Sequence, residues 1–370
     1  MSATTTPALD TAWLRQLEER LPNYLARLQS KDEPGRFLPC VEGATKVGRE
    51  MALGWSCFAL KLQHILNRWE PLPATDREAW LRFIRGYQQP TEEGAFIDQP
   101  EISYLESHTP WRERLKTLFG REPATRFSRS IVLAETKQAI ATLAEVGAKP
   151  DRAFRGFPAT PEAIWAWFEG QDWSRPWGAG GQAAGLVVFL KTQAPLFLPQ
   201  SDVDELLQVC RDFYTGLVRR ETGAYFRGNT PKHGELINGA MKVLMALDWL
   251  DVQPHYAEEL VATCLAEPPL DRGCHLVDAI YVLHQCTGST PSAAVRQYCL
   301  KVLEGIRDHA CSDGGFSFYR GKAQTNYYGV PVSRGLGESD IQGTCLLTWA
   351  VAMIWKMLEP QTAAWNTVKP

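Results

Sequence analysis

The sequence predicts an all-α chain folded as an α/α toroid, a barrel of about six outer–inner helix pairs. Three observations predict it. First, a polar residue followed by small ones returns along the chain inside apolar runs: Glu42-Gly43-Ala44, Glu135-Thr136, Gln182-Ala183-Ala184, Asn238-Gly239-Ala240, Asp278-Ala279 and Gln342-Gly343-Thr344. Second, these runs alternate with amphipathic segments that carry helix-start signals. Third, loops of Gly and aromatic residues precede several of them: "GRF" before Glu42, "GAYF" before Asn238 and "GGFSFY" before Gln342. A motif that returns every few tens of residues marks a repeat architecture.

The elements follow in chain order. "TAWLRQLEERLPNYLARLQ" has helical apolar spacing and starts from Asp10 as N-cap. "TDREAWLRFIRGYQ" starts on a Thr/Asp cap with acidic residues in its first turn. "TPEAIWAWFEGQ" starts on Thr-Pro-Glu, and "SDVDELLQVCRDFYTGLVRR" on Ser-Asp. "TPSAAVRQYCLKVLEGIRDHA" is the fifth capped amphipathic helix. A helix polar on one face lies outside, and one apolar nearly all round is packed on several sides. The polar-small runs are therefore the inner helices, and their polar residues are expected to ring a central cavity. Long loops such as "DGGFSFYRGKAQTNYYGVPVSRGLGESD" fold over one end. A helical solenoid of the HEAT type is the alternative, but its loops are shorter and lack this Gly and aromatic content. No composition break divides the chain, so residues 1–370 are expected to form a single α/α toroid domain.

Composition narrows the function classes. The 370 residues are 45% apolar and 22% charged, with net charge −3, which is globular composition. The charges are interspersed, so neither a nucleic-acid stripe nor a polybasic membrane patch is expected. The nine cysteines are scattered, odd in number and free of Cys-x-x-Cys pairs. They read as reduced, buried thiols of a cytoplasmic protein. The N-terminus has no signal-peptide pattern. The longest apolar run, around Leu346 to Met357, is expected to be too short for a transmembrane segment. Composition leaves the oligomeric state open.

The segment from Asp313 through Ile354, a Gly-Gly-Phe loop, then Glu338 and Asp340, then a small-residue helix, resembles terpenoid cyclases and protein prenyltransferase β subunits. That resemblance implies an isoprenoid enzyme with its active site in the toroid. The family's catalytic signatures are missing: there is no Asp-x-Asp-Asp and no Asp-Asp-x-x-Asp motif. Leu276-Val277-Asp278 is similar to the prenyltransferase zinc segment, but the position two after Asp278 is Ile280, which cannot bind a metal. Cys274-His275 resembles the zinc pair of lanthionine cyclase-like toroids. There Leu276 stands in place of a Gly, and residues 228–234 lack the upstream Cys. Two ligands do not make a tetrahedral site, so no metal and no cofactor is assigned.

The candidate catalytic residues are Asp340, Glu338, Asp278, His275, His233 and Glu235. Glu338 and Asp340 start the last inner helix, as cavity-mouth carboxylates or as its N-cap. His275 and Asp278, three apart, share a helix face, and a carboxylate there raises an imidazole pKa. Glu235 and Asn238 share the next face, with His233 nearby. The candidate substrate-binding residues are Glu42, Glu135, Trp177, Gln182, Asn238, Tyr327, Tyr328, Arg334 and Gln342. "RPWGAGGQAAG" around Trp177 is not a phosphate loop, since no Lys-Ser/Thr follows; its glycines favour close helix packing. Tyr319, Arg320, Tyr327, Tyr328 and Arg334 set aromatic and cationic groups over the mouth. The expected partner is a small-molecule substrate in the central cavity. Three readings stand: an isoprenoid enzyme first, a carbohydrate-active toroid (glycosidase, lyase or epimerase) next, and a non-catalytic ligand- or partner-binding toroid.

Overall fold

The computed structural model describes residues 9–108, 124–288 and 290–370. In chain order the helices are α1 (Thr11–Leu28), α2 (Lys46–Glu50), α3 (Leu53–Ile65), α4 (Ala74–Arg85), α5 (Gln99–His108), α6 (Ala124–Glu145) and α7 (Pro161–Glu169). They continue as α8 (Pro176–Thr192), α9 (Gln200–Leu217), α10 (His233–Trp249), α11 (Ala257–Leu265), α12 (Gly273–Cys286), α13 (Ala293–Arg307) and α14 (Ile341–Leu358). A two-residue hairpin, β1 (Asn326–Tyr327) with β2 (Val330–Pro331), is antiparallel.

Six of these helices close a ring. α3 packs on α6, α6 on α8, α8 on α10, α10 on α12, α12 on α14, and α14 returns to α3. The even spacing of apolar residues explains why they sit inside: α3, α8, α10, α12 and α14 are buried around most of their circumference. Six more, α1, α4, α7, α9, α11 and α13, form the outer layer and bury only one stripe, as Leu14, Leu17, Leu21, Leu25 and Leu28 do on α1, while α2 and α5 lie in the connections. The chain is therefore an α/α toroid of six outer–inner pairs.

The expected N-caps appear at Asp10, Thr160 and Ser292, which accept from Trp13 N, Ala163 N and Val295 N. Two starts differ from expectation. α4 follows Pro73 and α9 follows Pro199, each without a side-chain cap, because the proline's fixed φ already sets the entry. The outer helix α11 was not anticipated; it is only nine residues long and its N-cap, Tyr256, is left-handed.

Four outer helices end in the same corner. A positive-φ glycine (Gly35, Gly94, Gly223, Gly314) is followed two residues later by a buried aromatic (Phe37, Phe96, Tyr225, Phe316). Each aromatic makes an antiparallel bridge back to the end of the helix it just left, at Gln29, Gln88, Val218 and Ala310. The turn needs a left-handed residue, which glycine supplies without a Cβ clash. In two corners a threonine of the inner helix finishes the lock. Thr136 Oγ1 accepts from Phe96 N and donates to Phe96 O, and Thr344 Oγ1 does the same with Phe316.

These corners gather at the end of the ring where the inner helices begin. The last segment, Glu359 to Pro370, crosses the opposite end. Asn366 N donates to Ile65 O (2.8 Å), Lys369 N to Glu145 Oε2 (2.9 Å), and Trp249 Nε1 to Pro370 O (3.1 Å). The tail thus joins the C-terminal ends of α3, α6 and α10.

All nine cysteines are free, and six are buried. One helix, α14, is long and apolar enough to cross a membrane by length and composition, longer than the run around Leu346 to Met357 suggested. It is an inner helix, buried against α3, α12 and α13.

Candidate functional site: the central cavity

On the toroid axis lies a cavity of about 470 Å³, within the size range of small-molecule sites. All six inner helices build its wall. α3 contributes Phe58 and Lys61, α6 Lys137 and Gln138, α10 Lys242, α12 Asp278, and α14 Gln342 and Trp349. From α8 come Gly178, Gly181 and Gly185, spaced to share one face. A Cβ at Gly178 or Gly181 would meet nothing within 4 Å, so this stripe leaves the wall bare and the cavity wide. The intervening glycine packs instead: Gly180 lies against Lys242 and Gly239, and a Cβ at Gly239 would fall 2.5 Å from Pro176. The expected close packing of "RPWGAGGQAAG" therefore holds on one face of α8, while its other face gives room.

The β1–β2 hairpin rims the cavity with Tyr327 and Tyr328. Its two-residue turn is Tyr328-Gly329, with φ of 45° and 88°, the left-handed pair that a tight hairpin requires. Tyr328 is 43% exposed and packs on Tyr327 at a centroid distance of 4.5 Å. Tyr327 in turn sits against Trp55 and donates to Glu135 Oε1 at 2.6 Å.

Several wall residues hold buried polar atoms with no hydrogen-bond partner in the protein: Gln138 Nε2, Trp167 Nε1, Asp278 Oδ2, Gln342 Oε1 and Trp349 Nε1. Donors and acceptors are both represented. Burial pushes the Asp278 carboxyl up to about 7, and the nearby Lys242 ammonium opposes this only partly. The wall is thus mixed: aromatic faces from Trp167, Trp177, Phe157 and Tyr328, amides, ammonium groups and the acidic side chain of Asp278.

The expected ring of polar residues forms only in part. Gln182, Asp278 and Gln342 line the cavity, as do Trp177, Tyr327 and Tyr328. Glu135 is buried one layer behind Tyr327. There it faces Glu101 of α5, whose carboxyl is driven up first by burial and then by the Glu135 charge. Asn238 lines a separate pocket of about 360 Å³ together with His233, Glu235 and His275. Glu42 is exposed on a loop, where its carbonyl accepts from Arg334 Nη2 (3.1 Å). Neither Glu42 nor Arg334 reaches the cavity. The polar-small motif at Glu42 does not open an inner helix: short α2 follows it, and α3 begins eleven residues later, with Ala52 N and Leu53 N donating to Asp98 Oδ2 (2.7 and 2.9 Å).

The candidate catalytic residues divide likewise. Asp340 is the N-cap of α14. Its Oδ1 accepts from Gly343 N (2.7 Å), and its Oδ2 from Phe318 N (2.7 Å) and Gln324 N (3.0 Å). Glu338 accepts from Glu42 N (2.8 Å) and Gly43 N (2.5 Å), tying the last long loop to the first. Both carboxylates are spent on backbone amides and neither faces the cavity. Glu235 Oε1 accepts from Trp177 N (2.9 Å) at the start of α8. His275 and Asp278 do not form the expected relay. The imidazole turns to Trp177 and accepts from Asn238 Nδ2 at 2.8 Å, and its pKa is lowered, by burial first and by Arg272 next. Tyr319 and Arg320 lie away from the cavity; Arg320 pairs with Asp271 and Asp308. Among the described residues no group of three His, Cys, Asp or Glu is arranged to hold a metal ion.

The sequence reading missed Lys61, Lys137 and Lys242. Their signal is a single lysine inside each of three inner-helix stretches: "FALKLQ", "AETKQAI" and "GAMKVLM". It also missed Asp98 and Glu101, which lie on a connecting segment and enter the core only by tertiary contact.

No family model matches the chain, and no curated protein does. Solved structures similar to it include the GH76 α-1,6-mannanase of Salegentibacter sp. HEL1_6, at 13% identity and a TM-score of 0.41, covering 91% of this chain and 99% of that one. An inactive variant of that enzyme in complex with α-1,6-mannotriose gives a TM-score of 0.42. A GH76 α-mannanase of Bacteroides thetaiotaomicron is similar at 11% identity and a TM-score of 0.44, covering 93% and 96% of the two chains. The resemblance to terpenoid cyclases and prenyltransferase β subunits is thereby corrected: the similar structures named above are GH76 α-mannanases. The physical reason is local. Gly314-Gly315-Phe316 is one of four identical corners that end outer helices, and Glu338 and Asp340 hold loops, so the motif reports architecture and carries no cavity chemistry.

Proposed function

We propose that this chain is a carbohydrate-active protein whose central cavity seats a saccharide, with Asp278 as its acid/base group. The observation that carries this reading is the wall itself. Asp278 is 2% exposed, lines the cavity, and has an oxygen without a protein partner, among wall amides and indole N–H groups in the same condition. Hydroxyl groups of a sugar both donate and accept, and its apolar faces stack on rings such as Trp177 and Tyr328. A hydrocarbon guest would leave these buried polar atoms unsatisfied at about 1–3 kcal/mol each.

Among the described residues Asp278 is the one acidic side chain in the wall, whereas hydrolysis by the usual route employs two. Proton-transfer chemistry of the lyase or epimerase kind fits this wall better than hydrolysis. Asp278 keeps its proton up to about pH 7; below that value it is poised as an acid and above it as a base.

The test is to incubate the purified protein with a panel of oligosaccharides and follow products by mass spectrometry. Turnover of at least one is expected, with a pH profile that turns near 7 and a loss of about 100-fold or more in Asp278→Asn. Undiminished turnover by that variant, or no turnover across the panel, would sink the enzymatic reading.

A further inference from the structure

Three inner helices each send one lysine to the same cavity: Lys61 from α3, Lys137 from α6 and Lys242 from α10. Among the described residues none of the three has a carboxylate within ion-pair distance, although the same structure pairs Lys191 with Asp251 and Lys369 with Asp248 at its surface. Their hydrogen-bonding capacity is largely unspent. Lys61 Nζ donates to Gln138 Oε1 at 3.3 Å, and Lys242 Nζ has only the Met245 sulfur at 3.8 Å. The Lys137 stem lies beside Gly185.

An ammonium group carries three donors and no acceptor, so water or an anion must complete each. Gathering like charges in a cavity is costly unless they share a counter-charge. The cost is visible at Lys137, whose pKa is held well below the ordinary lysine value by burial first and by Lys61 and Lys242 next. The carboxyls that feel these ammonium groups are Asp278, whose rise Lys242 opposes, and Glu145, whose rise Lys61 opposes. Two carboxylates cannot neutralise three cations even when both are ionised.

We propose that the saccharide this cavity takes is acidic, its oxyanion, a carboxylate or a phosphate, seated among the ammonium groups of Lys61, Lys137 and Lys242. The proposal rests on the carbohydrate reading above and adds the charge of the substrate. The oxyanion supplies the acceptors the three lysines lack, and its negative charge favours the ammonium form of Lys137. Lys242, beside Asp278, places the oxyanion next to the acid/base group.

The test is calorimetric binding at neutral pH with four probes: trigalacturonate, a neutral galactose trisaccharide, glucose 1-phosphate and inorganic pyrophosphate. The wild type is compared with Lys137→Gln, Lys242→Gln and the charge-keeping Lys137→Arg. The expected result is an affinity for trigalacturonate or glucose 1-phosphate about tenfold or more above that for the neutral trisaccharide. The preference should vanish in the two glutamine variants and persist in Lys137→Arg. Whichever acidic probe binds tighter identifies the oxyanion.

Equal affinity for acidic and neutral sugars, or an unchanged preference in the glutamine variants, overturns the proposal, as does absence of binding by every probe. Lysine-dependent binding of pyrophosphate alone would leave the anion seat standing and remove the carbohydrate reading. Binding of the neutral trisaccharide alone would do the reverse.

Discussion

Tyr328 occupies a backbone position that a tyrosine enters at a cost. A left-handed conformation disfavours a side chain with a Cβ by about 1–2 kcal/mol, and asparagine far less. Against this, the ring contact with Tyr327 returns about 0.5–1.5 kcal/mol. The two nearly cancel, so fold stability gives no reason for tyrosine at the tip of this hairpin. What remains is the ring at the cavity mouth. Tyr328→Asn is therefore expected to leave the unfolding free energy from chemical denaturation within about 1 kcal/mol of wild type and to weaken saccharide binding about tenfold. Unfolding curves and calorimetry on the same preparation check both halves. Asp340 teaches the opposite lesson at the same scale. It has the burial and the raised pKa, up to about 6, of a catalytic acid, yet three backbone amides already occupy its oxygens.

The corner is the unit that the helices share, and glycine is its hinge. At Gly223 a Cβ would come within 2.5 Å of Tyr256 O and 2.6 Å of Leu260 N, besides φ being +66°. At Gly147, which ends α6 with φ +70°, a Cβ meets nothing within 4 Å. The pair separates strain from crowding. Gly147→Ala is expected to cost about 1 kcal/mol from backbone strain alone, and Gly223→Ala about 1–3 kcal/mol more from the clash with the neighbouring backbone; equal losses in urea titrations would refute the account. The same comparison explains what was legible in the sequence. Local signals such as Asp10, Thr160 and Ser292 at helix starts, and the Gly-x-aromatic corners, are readable because neighbouring residues determine them. α11 was hidden because it lacks a start signal: its N-cap is Tyr256, which makes no side-chain cap, whereas α7, equally short, starts on Thr160. Glu42-Gly43-Ala44 misled because a polar-small triplet serves a loop tie to Glu338 as well as it serves a helix start. Gln182, Asp278 and Gln342 were found through their place in inner helices. The three lysines were not, because only ring closure brings residues 61, 137 and 242 to one wall.

At the scale of the whole molecule the cavity has two differently built ends. Interlocked corners and the Tyr327–Tyr328 hairpin form one; the tail from Glu359 to Pro370 forms the other, with Val368 and Pro370 in the cavity lining. Trp365 anchors that tail. It is 2% exposed, stacks edge-on to Trp355 and donates from Nε1 to Glu18 Oε1 at 3.0 Å. Trp365→Ala is expected to cost about 3–5 kcal/mol and to raise amide exchange in residues 359–370 well before the inner helices lose protection. Uniform loss of protection would show instead that tail and ring open together. The seam between α3 and α14 has a kinetic consequence. These helices touch, yet nearly the whole chain separates them, so the ring cannot shut until its last helix has been made. Until then α3 presents an apolar flank to solvent, and the chain must hold an open arc of helix pairs whose final contact carries the largest loop-closure entropy. Synthesis and refolding alike end on that one step, which is the moment when the lysine-lined interior first becomes a space apart from water.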